Sequence, residues 1–348
     1  MRGHTNENGL KLSVLDLATI YNAESVTQTL NNSAELVQLA DKLGYTRYWF
    51  AEHHNTKHQI STSPDLLAAH TAALTEHIRI GSGGVMLPNH SPLKVVENFS
   101  LLEGLHPGRI DLGMGRAPGT DGMTALALRR SREAVNSDQS GELLNELLAY
   151  FTGDFRDDHP FANITPTPDR SLQPELFMLG SSDGGRQIAS QFGLGYAFAG
   201  QINPDWAVPV LQNYRKQFQP SKFMSEPYSI LSIIVVCAET DEEAAYYAAP
   251  AELQWVRWGT GQFQYAPPTL EEAAAHTYTQ EEEMVRQQNK GRFIIGSVDT
   301  VKEQIMQLQE DAQIDELMVL NMITDKEARH QSFSLLADAF QLSSNTSN

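Results

Sequence analysis

Ile78-Arg-Ile-Gly-Ser-Gly-Gly-Val-Met-Leu-Pro-Asn-His-Ser-Pro92 begins as a short apolar strand, passes through Gly81, Gly83 and Gly84, resumes as Val85-Met86-Leu87 and stops at Pro88. Ser91-Pro92 then reads as the N-cap and first residue of a helix. Glycines gathered near a strand's C-terminal end give up side-chain packing there. A bulge, an unusual backbone angle or a ligand lying flat against the main chain are the reasons a chain does so. Glycine content alone does not separate the bulge from the ligand. The position favours the ligand, because this is the end of a strand in a chain that alternates strand and helix.

The alternation continues in both directions. Residues 12–18 read as a buried first strand, with Asp16 near its C-terminal end. Asn32, with Glu35 three places on, predicts a helix start, with Leu36, Leu39, Ala40 and Leu43 as its apolar face and Gly44 as its stop. The aromatic run 45–50 is a second strand and leads directly into Ala51-Glu-His-His-Asn-Thr-Lys-His58. Ser63-Pro64-Asp65 opens a helix to about His77. Downstream, the helix from Ser91-Pro92 turns Val95, Val96, Phe99 and Leu102 inward, 109–114 is a strand, and 124–150 is helical. Runs at 176–179, 196–199, 228–238 and 316–321 supply four more strands. Helices follow them to near Gly193, over 205–218, from Thr240 and over 325–340, with a further helix at 298–311.

Two stretches break the rhythm. Residues 151–174 hold four prolines and read as an inserted loop. Residues 250–290 carry Trp255, Trp258, Pro267-Pro268 and an acidic run, and read as a lid or as a solvated helical excursion. The predicted organisation is a disordered stretch 1–10, a single (β/α)8 TIM barrel domain over 11–342 with these two insertions, and a polar tail 343–348. A doubly wound open sheet is the alternative. On the barrel reading, active-site groups come from the loops at the strands' C-terminal ends. Those loops hold Asp16, His53, the glycines at 81–84, Arg116 and the turn at 181–185.

The totals narrow the partners. Against 25 Lys and Arg stand 43 Asp and Glu, a net charge of -18. Such a surface repels phosphate backbones and anionic membranes, so no nucleic acid is expected as a partner. The single cysteine, Cys237, lies in an apolar run and predicts a buried strand residue in a reducing, cytoplasmic compartment. The first ten residues lack the apolar core of a signal peptide. No apolar run approaches the ~18 residues of a membrane span, so no membrane partner is expected.

Several motifs compete for the chemistry. Gly113-Met-Gly-Arg-Ala-Pro-Gly119 is a poor dinucleotide loop: its third glycine is one place late and Pro118 intervenes. Glu52-His53-His54 with His58 suggests a metal cluster, but the histidines sit in a loop and no cysteine joins them, so no metal is expected. A neutral imidazole at a strand end, His53, reads better as an acid/base or hydrogen-bonding group, against a histidine that merely packs. Gly180-Ser-Ser-Asp-Gly-Gly185 before a helix reads as a phosphate cradle, with a plain N-cap as the competing account. Arg116 and Arg132 are placed to reach a phosphate, although each alone is also an ordinary surface residue. A flat-ligand surface and a phosphate site together suggest a phosphorylated planar cofactor such as FMN.

At Trp49-Phe50-Ala51-Glu52-His53-His54, Ile80-Gly-Ser-Gly-Gly-Val-Met-Leu-Pro88, Gly108-Arg-Ile-Asp-Leu-Gly-Met-Gly-Arg116 and residues 181–195, the chain resembles the bacterial luciferase-like flavin monooxygenase family. The resemblance runs in order over nearly the whole chain. It implies a barrel, usually a homodimer. It implies reduced FMN supplied by a separate flavin reductase, and O2 giving one oxygen atom to a small organic substrate. It also implies a cis peptide at Gly83-Gly84 beneath the flavin ring. Phosphate contacts follow from Ser181, Ser182, Gly184 and Gly185, flavin-phosphate arginines at Arg116 and Arg132, and a catalytic role for His53. Gly115 stands where luciferase has a reactive cysteine, and Gly185 replaces a hydroxyl residue, so light emission is not expected. A flavin- or deazaflavin-dependent hydride-transfer enzyme and a non-catalytic flavin-binding protein are the competing classes.

Overall fold

The structure is a computed structural model that describes residues 9–263 and 265–342. The expectations for residues 1–8 and 343–348 lie outside the described residues. Leu10, expected in the disordered stretch, is fully buried and belongs to the main core.

The strands are β1 (Lys11–Asp16), β2 (Arg47–Phe50), β3 (Arg79–Met86), β4 (Ile110–Gly115), β5 (Glu175–Gly180), β6 (Gly195–Ala199), β7 (Ser229–Ala238), β8 (Phe293–Ser297) and β9 (Glu316–Leu320). β1 to β7 pair in parallel succession, and β9 pairs with both β7 and β1. The ring therefore closes through eight strands as a TIM barrel, as the sequence rhythm predicts. The ninth, β8, was not predicted. It joins the outer half of β7, from Ile234 opposite Phe293 to Ala238 opposite Ser297. The inner half of β7 pairs with β9, from Ile230 opposite Glu316 to Ile234 opposite Leu320. Five residues, one of them Gly296, are too few to display a period against the irregular stretch before them.

The helices are α1 (Val26–Leu43), α2 (Pro64–Ala72), α3 (Pro92–Leu105), α4 (Gly122–Arg129), α5 (Arg132–Asn136), α6 (Ser140–Thr152), α7 (Asp183–Phe192), α8 (Ala207–Gln217), α9 (Asp241–Gly259), α10 (Leu270–Ala275), α11 (Gln280–Asn289), α12 (Val298–Ala312) and α13 (Lys326–Ala339). Several depart from expectation: α2 ends at Ala72, short of the expected His77. α1 starts with Ser25 and Gln28 as a reciprocal capping box, seven residues before Asn32, whose amide instead donates to Glu24. The region 124–150 is broken in two places, by Arg130 in the left-handed conformation (φ 61°) and by Ser137 in an extended one (φ -109°). α9 continues through Pro250 to Gly259, well into the stretch 250–290 that was read as an insertion breaking the strand–helix rhythm. Among the described residues no helix is long and apolar enough to cross a membrane.

Strand alternation builds two apolar layers. Val14, Tyr48, Ile80, Leu112, Met178 and Phe198 face the helices, while Leu15, Trp49, Phe177, Ala197, Ile230 and Met318 fill the barrel. Cys237 is buried, and that burial pushes its thiol up to about 12.

Charged residues open several strands and meet at the barrel's N-terminal end. Arg47 (2% exposed) donates to Glu316 Oε1 at 2.8 Å and to Asp111 Oδ2 at 2.9 Å. Asp111 also accepts from Trp49 Nε1 at 2.9 Å and from Arg79. Glu316 accepts from Ser13 and from the Tyr228 hydroxyl. Burial opposes the Asp111 charge, but Arg47 and Arg79 outweigh it and hold the carboxyl below its usual range. The barrel is thereby sealed at one end and open at the other.

Candidate active site

At the C-terminal mouth the strand ends surround a cavity of about 1040 Å³. Its wall includes Leu15, Trp49, Gly83, Gly115, Leu179 and Met318, one from each of six strands. The glycines of the opening stretch serve two purposes. The Gly83-Gly84 peptide is cis, as the resemblance implies. A Cβ on Gly83 would fall 2.9 Å from Leu15 Cδ1 and 3.0 Å from Trp49 Cβ, so its main chain lies flat on the barrel filling and faces the cavity. A Cβ on Gly84 would instead meet the Gly113 carbonyl at 2.7 Å, so Gly84 serves the close approach of β3 to β4. The register between those strands shifts between Gly83 and Val85. The bulge and the exposed floor are both present.

The phosphate-type cradle forms where β5 runs into α7. The Ser181 carbonyl accepts from Asn203 Nδ2 at 3.0 Å, and the Ser182 carbonyl accepts from the Tyr196 hydroxyl at 3.1 Å. Both serines line the cavity, and the Ser182 side chain makes no capping bond. The first N–H groups of α7 thus stay available at the positive end of the helix. Arg116, from the end of β4, lies directly on this turn. A Cβ on Gly184 would come within 2.6 Å of its Nη2. Gly184 makes room for a guanidinium. Gly185 is buried against the Leu179 carbonyl and fits α7 to the sheet, away from the cavity wall. The one acid of the turn, Asp183, is engaged by Arg186 and Gln187.

His53 lines the same cavity, and its Nδ1 is buried without a partner among the described residues. Burial, partly opposed by the Glu52 charge, lowers the imidazole below its ordinary value, so the ring is neutral at pH 7. Ser232 Oγ, Gln201 Oε1 and Trp255 Nε1 are further buried, unpartnered polar atoms of residues that line this cavity. Groups of this kind await a ligand or ordered water.

The family whose description is luciferase-like monooxygenase matches residues 10–315. The chain belongs to that family. A luciferase-like monooxygenase of Escherichia coli is 36% identical over 94% of this chain and 96% of its own length. The N-acetyl-S-alkylcysteine monooxygenase of Bacillus subtilis is 33% identical over 95% and 98%. The crystal structure of apo-MsnO8 superposes with a TM-score of 0.88 at 36% identity, covering 97% of this chain and 99% of that one. The fold alone is shared, at a TM-score of 0.69 in both cases, with two more distant structures. One is the oxygenating constituent of the Pseudomonas putida 3,6-diketocamphane monooxygenase in complex with FMN (19% identity, 95% and 98% covered). The other is an F420-dependent secondary alcohol dehydrogenase (13%, 97% and 99% covered).

This luciferase-like chain is an oxidoreductase whose site differs from the sequence reading in four respects. Arg132 is exposed and does not line the cavity, because α5 turns it outward; Arg129 lines the wall in its place, donating to Asn89 and the Ala134 carbonyl. Asp16 is a structural acceptor for the Tyr48 hydroxyl at 2.7 Å. Glu52, read as part of a histidine cluster, is a fully buried hub bonded by His54 Nε2 at 2.8 Å, His90 Nε2 at 2.9 Å and the Met86 N–H at 2.9 Å. Burial opposes its charge, but those bonds outweigh it and hold the carboxyl below its usual range. His90 lay inside the opening stretch, and only its distant partner gives it meaning. Trp255 and Trp258, assigned to an insertion, also line the cavity.

Proposed function

We propose that this luciferase-like monooxygenase binds reduced FMN, delivered by a separate flavin reductase, and uses O2 to oxygenate a small organic substrate. The observation that carries the cofactor reading is the Arg116 guanidinium seated against Gly184 at the uncapped start of α7. A guanidinium, two serine hydroxyls and helix N–H groups make a phosphate-binding donor set. The residues present fit the rest of the cofactor. Gly83 offers flat main chain, His53 an unpartnered nitrogen, and the cavity exceeds the ~300–1,000 Å³ of an ordinary ligand site, with room for a second molecule. A relative named for N-acetyl-S-alkylcysteine supports a small organic substrate.

Reduced flavin supplies the electrons that activate O2. The protein's part is to hold the phosphate at Ser181, Ser182 and Arg116, to support the ring on Gly83, and to keep water out with Trp255 and Trp258. His53, neutral at pH 7, donates or accepts a proton at a ring nitrogen. Anaerobic titration with reduced FMN, followed by mixing with O2 and spectral recording, tests the reading. Saturable binding with substrate-dependent oxygen uptake is expected. Failure to bind reduced FMN, with binding of reduced deazaflavin instead, would transfer the site to the hydride-transfer class. His53→Ala should slow turnover more than it weakens FMN binding; an equal loss in both makes His53 structural.

We also propose a homodimer through α2 and α3, which expose Leu66 (69%), Leu101 (53%) and Leu105 (62%). A monomer mass by light scattering at micromolar concentration would sink it.

A further inference from the structure

A second cavity, of about 620 Å³, adjoins the first between residues 55–59, one side of α9 and residues 322–324. The two share Gln59, Trp258 and Met322. Phe263, Tyr265 and Pro267-Pro268 give the second cavity apolar sides.

Two polar side chains on its wall hold an atom with no hydrogen-bond partner among the described residues. Gln254 is 3% exposed, its Oε1 is buried without a partner, and its amide makes no hydrogen bond among the described residues. Thr324 is also 3% exposed and its Oγ1 is unpartnered, although its carbonyl accepts from Asn22. Burial of such groups unpaired is unfavourable, and folded chains keep few of them. Two on one wall mark a place where a ligand supplies the partners. The charge pattern gives the ligand's sign. The chain has 43 acids, yet among the described residues no Asp or Glu lines this cavity, and Lys57 stands on its wall.

We propose that this compartment binds the carboxylate of an elongated organic substrate. The Gln254 amide makes no hydrogen bond at either end, so a half-turn brings its NH2 group to where Oε1 stands unpartnered; that NH2 group, the Thr324 hydroxyl and the Lys57 ammonium then donate to the carboxylate. The apolar remainder passes by Gln59, Trp258 and Met322 into the larger cavity, toward His53. The aromatic walls suit an alkyl or aryl chain, and the Thr324 hydroxyl with the turned Gln254 NH2 group suits a carboxylate, an acceptor with several lone pairs. The assignment rests on the monooxygenase reading only in naming the ligand a substrate.

Calorimetric titration of the full chain with octanoate tests it, with 1-octanol as the uncharged control. Octanoate should bind at least about tenfold more tightly than octanol. Gln254→Leu and Thr324→Val should each weaken octanoate by about tenfold, raise the melting temperature of the free protein by removing an orphaned polar group, and leave reduced-FMN affinity unchanged. Lys57→Gln, at an exposed position, should weaken octanoate by a smaller factor and keeps the test open if a buried variant fails to fold. Octanol binding as tightly as octanoate, or variants that bind octanoate like the wild type, would overturn the proposal. Octanoate binding without reduced-FMN binding leaves the carboxylate site standing and removes the flavin reading. Reduced-FMN binding without octanoate binding removes the carboxylate site alone.

Discussion

The two ends of the barrel hold similar chemistry under opposite accounts. At the N-terminal end, Arg47, Arg79, Asp111 and Glu316 are mostly buried, and each meets an oppositely charged side chain. At the C-terminal end, Arg116 lies on a glycine, and His53, Ser232, Gln201 and Trp255 present unpartnered atoms around a void. Among the described residues, none of the unpartnered buried side-chain atoms belongs to the N-terminal ion cluster. Buried charge alone therefore does not tell a site from a scaffold. What separates them is whether each group's partner is already present in the protein.

That comparison breaks most visibly at Asp111. Asp111→Asn leaves Arg47 and Arg79 facing a neutral amide, and removing one partner of a buried pair costs about 3–5 kcal/mol. Urea unfolding should show that loss. A change below about 1 kcal/mol, the scale of a surface pair, would mean the cluster is solvated and the contrast false. Arg116→Met should do the reverse. It should weaken reduced FMN about ten- to a hundredfold, as befits lost charge-assisted bonds, with stability unchanged. A stability loss like that of Asp111→Asn would place Arg116 with the scaffold.

Gly184→Ala sharpens the point. Its Cβ would displace the free end of a flexible side chain, Arg116 Nη2 at 2.6 Å, so the fold should tolerate it. Alanine also favours the helix. Reduced-FMN affinity should fall by about tenfold while the melting temperature holds or rises. Unchanged affinity would show that Arg116 does not need that seat.

The smallest effect belongs to Glu52 and His90, which join the two regimes as a satisfied pair beside the unsatisfied cavity. Burial opposes the His90 charge, but Glu52 outweighs it and raises the imidazole above its ordinary 6.5, whereas the Glu52 carboxyl is held below its ordinary 4.5. Their mutual stabilisation is therefore full between 4.5 and 6.5. It is lost upward as pH rises through the raised His90 value and downward as pH falls through the lowered Glu52 value. Because His90 is 36% exposed, solvent screening limits the contribution to below about 1 kcal/mol. Melting temperatures from pH 5 to about 9 should decline more steeply in the wild type than in His90→Gln. Parallel curves would remove the pair from the account.

The sequence carried the barrel well because its evidence is local. Each apolar run, each Ser-Pro or Thr-Asp helix start and each Gly stop lies within a few residues of what it signals. The glycines at 83–84 and the serines at 181–182 were legible for the same reason. The rest depends on partners far along the chain. Arg47 opens an aromatic strand and Glu316 opens another 269 residues later; neither predicts the other. A usable signal existed, because Lys11, Arg47, Arg79, Glu175 and Glu316 each open a strand. A repeat of charge at the same strand position points to a polar layer inside a closed sheet. Arg132 was misplaced because a single-residue turn at Arg130, in the left-handed conformation, decides which arginine faces inward.

The double pairing of β7 has one more consequence. The chain leaves β7 at Ala238 and returns as β8 beside the strand it left, with the barrel already closed through β9. Everything from 239 to 292 is thus a handle with both feet on one strand. Changing the length or content of a loop with fixed, adjacent ends adds little closure entropy. This handle brings Gln254, Trp255, Trp258, Phe263 and Tyr265 to the two cavities. It is a graftable cassette: exchanged whole between relatives, it would carry ligand preference with it and leave the closure of the ring untouched.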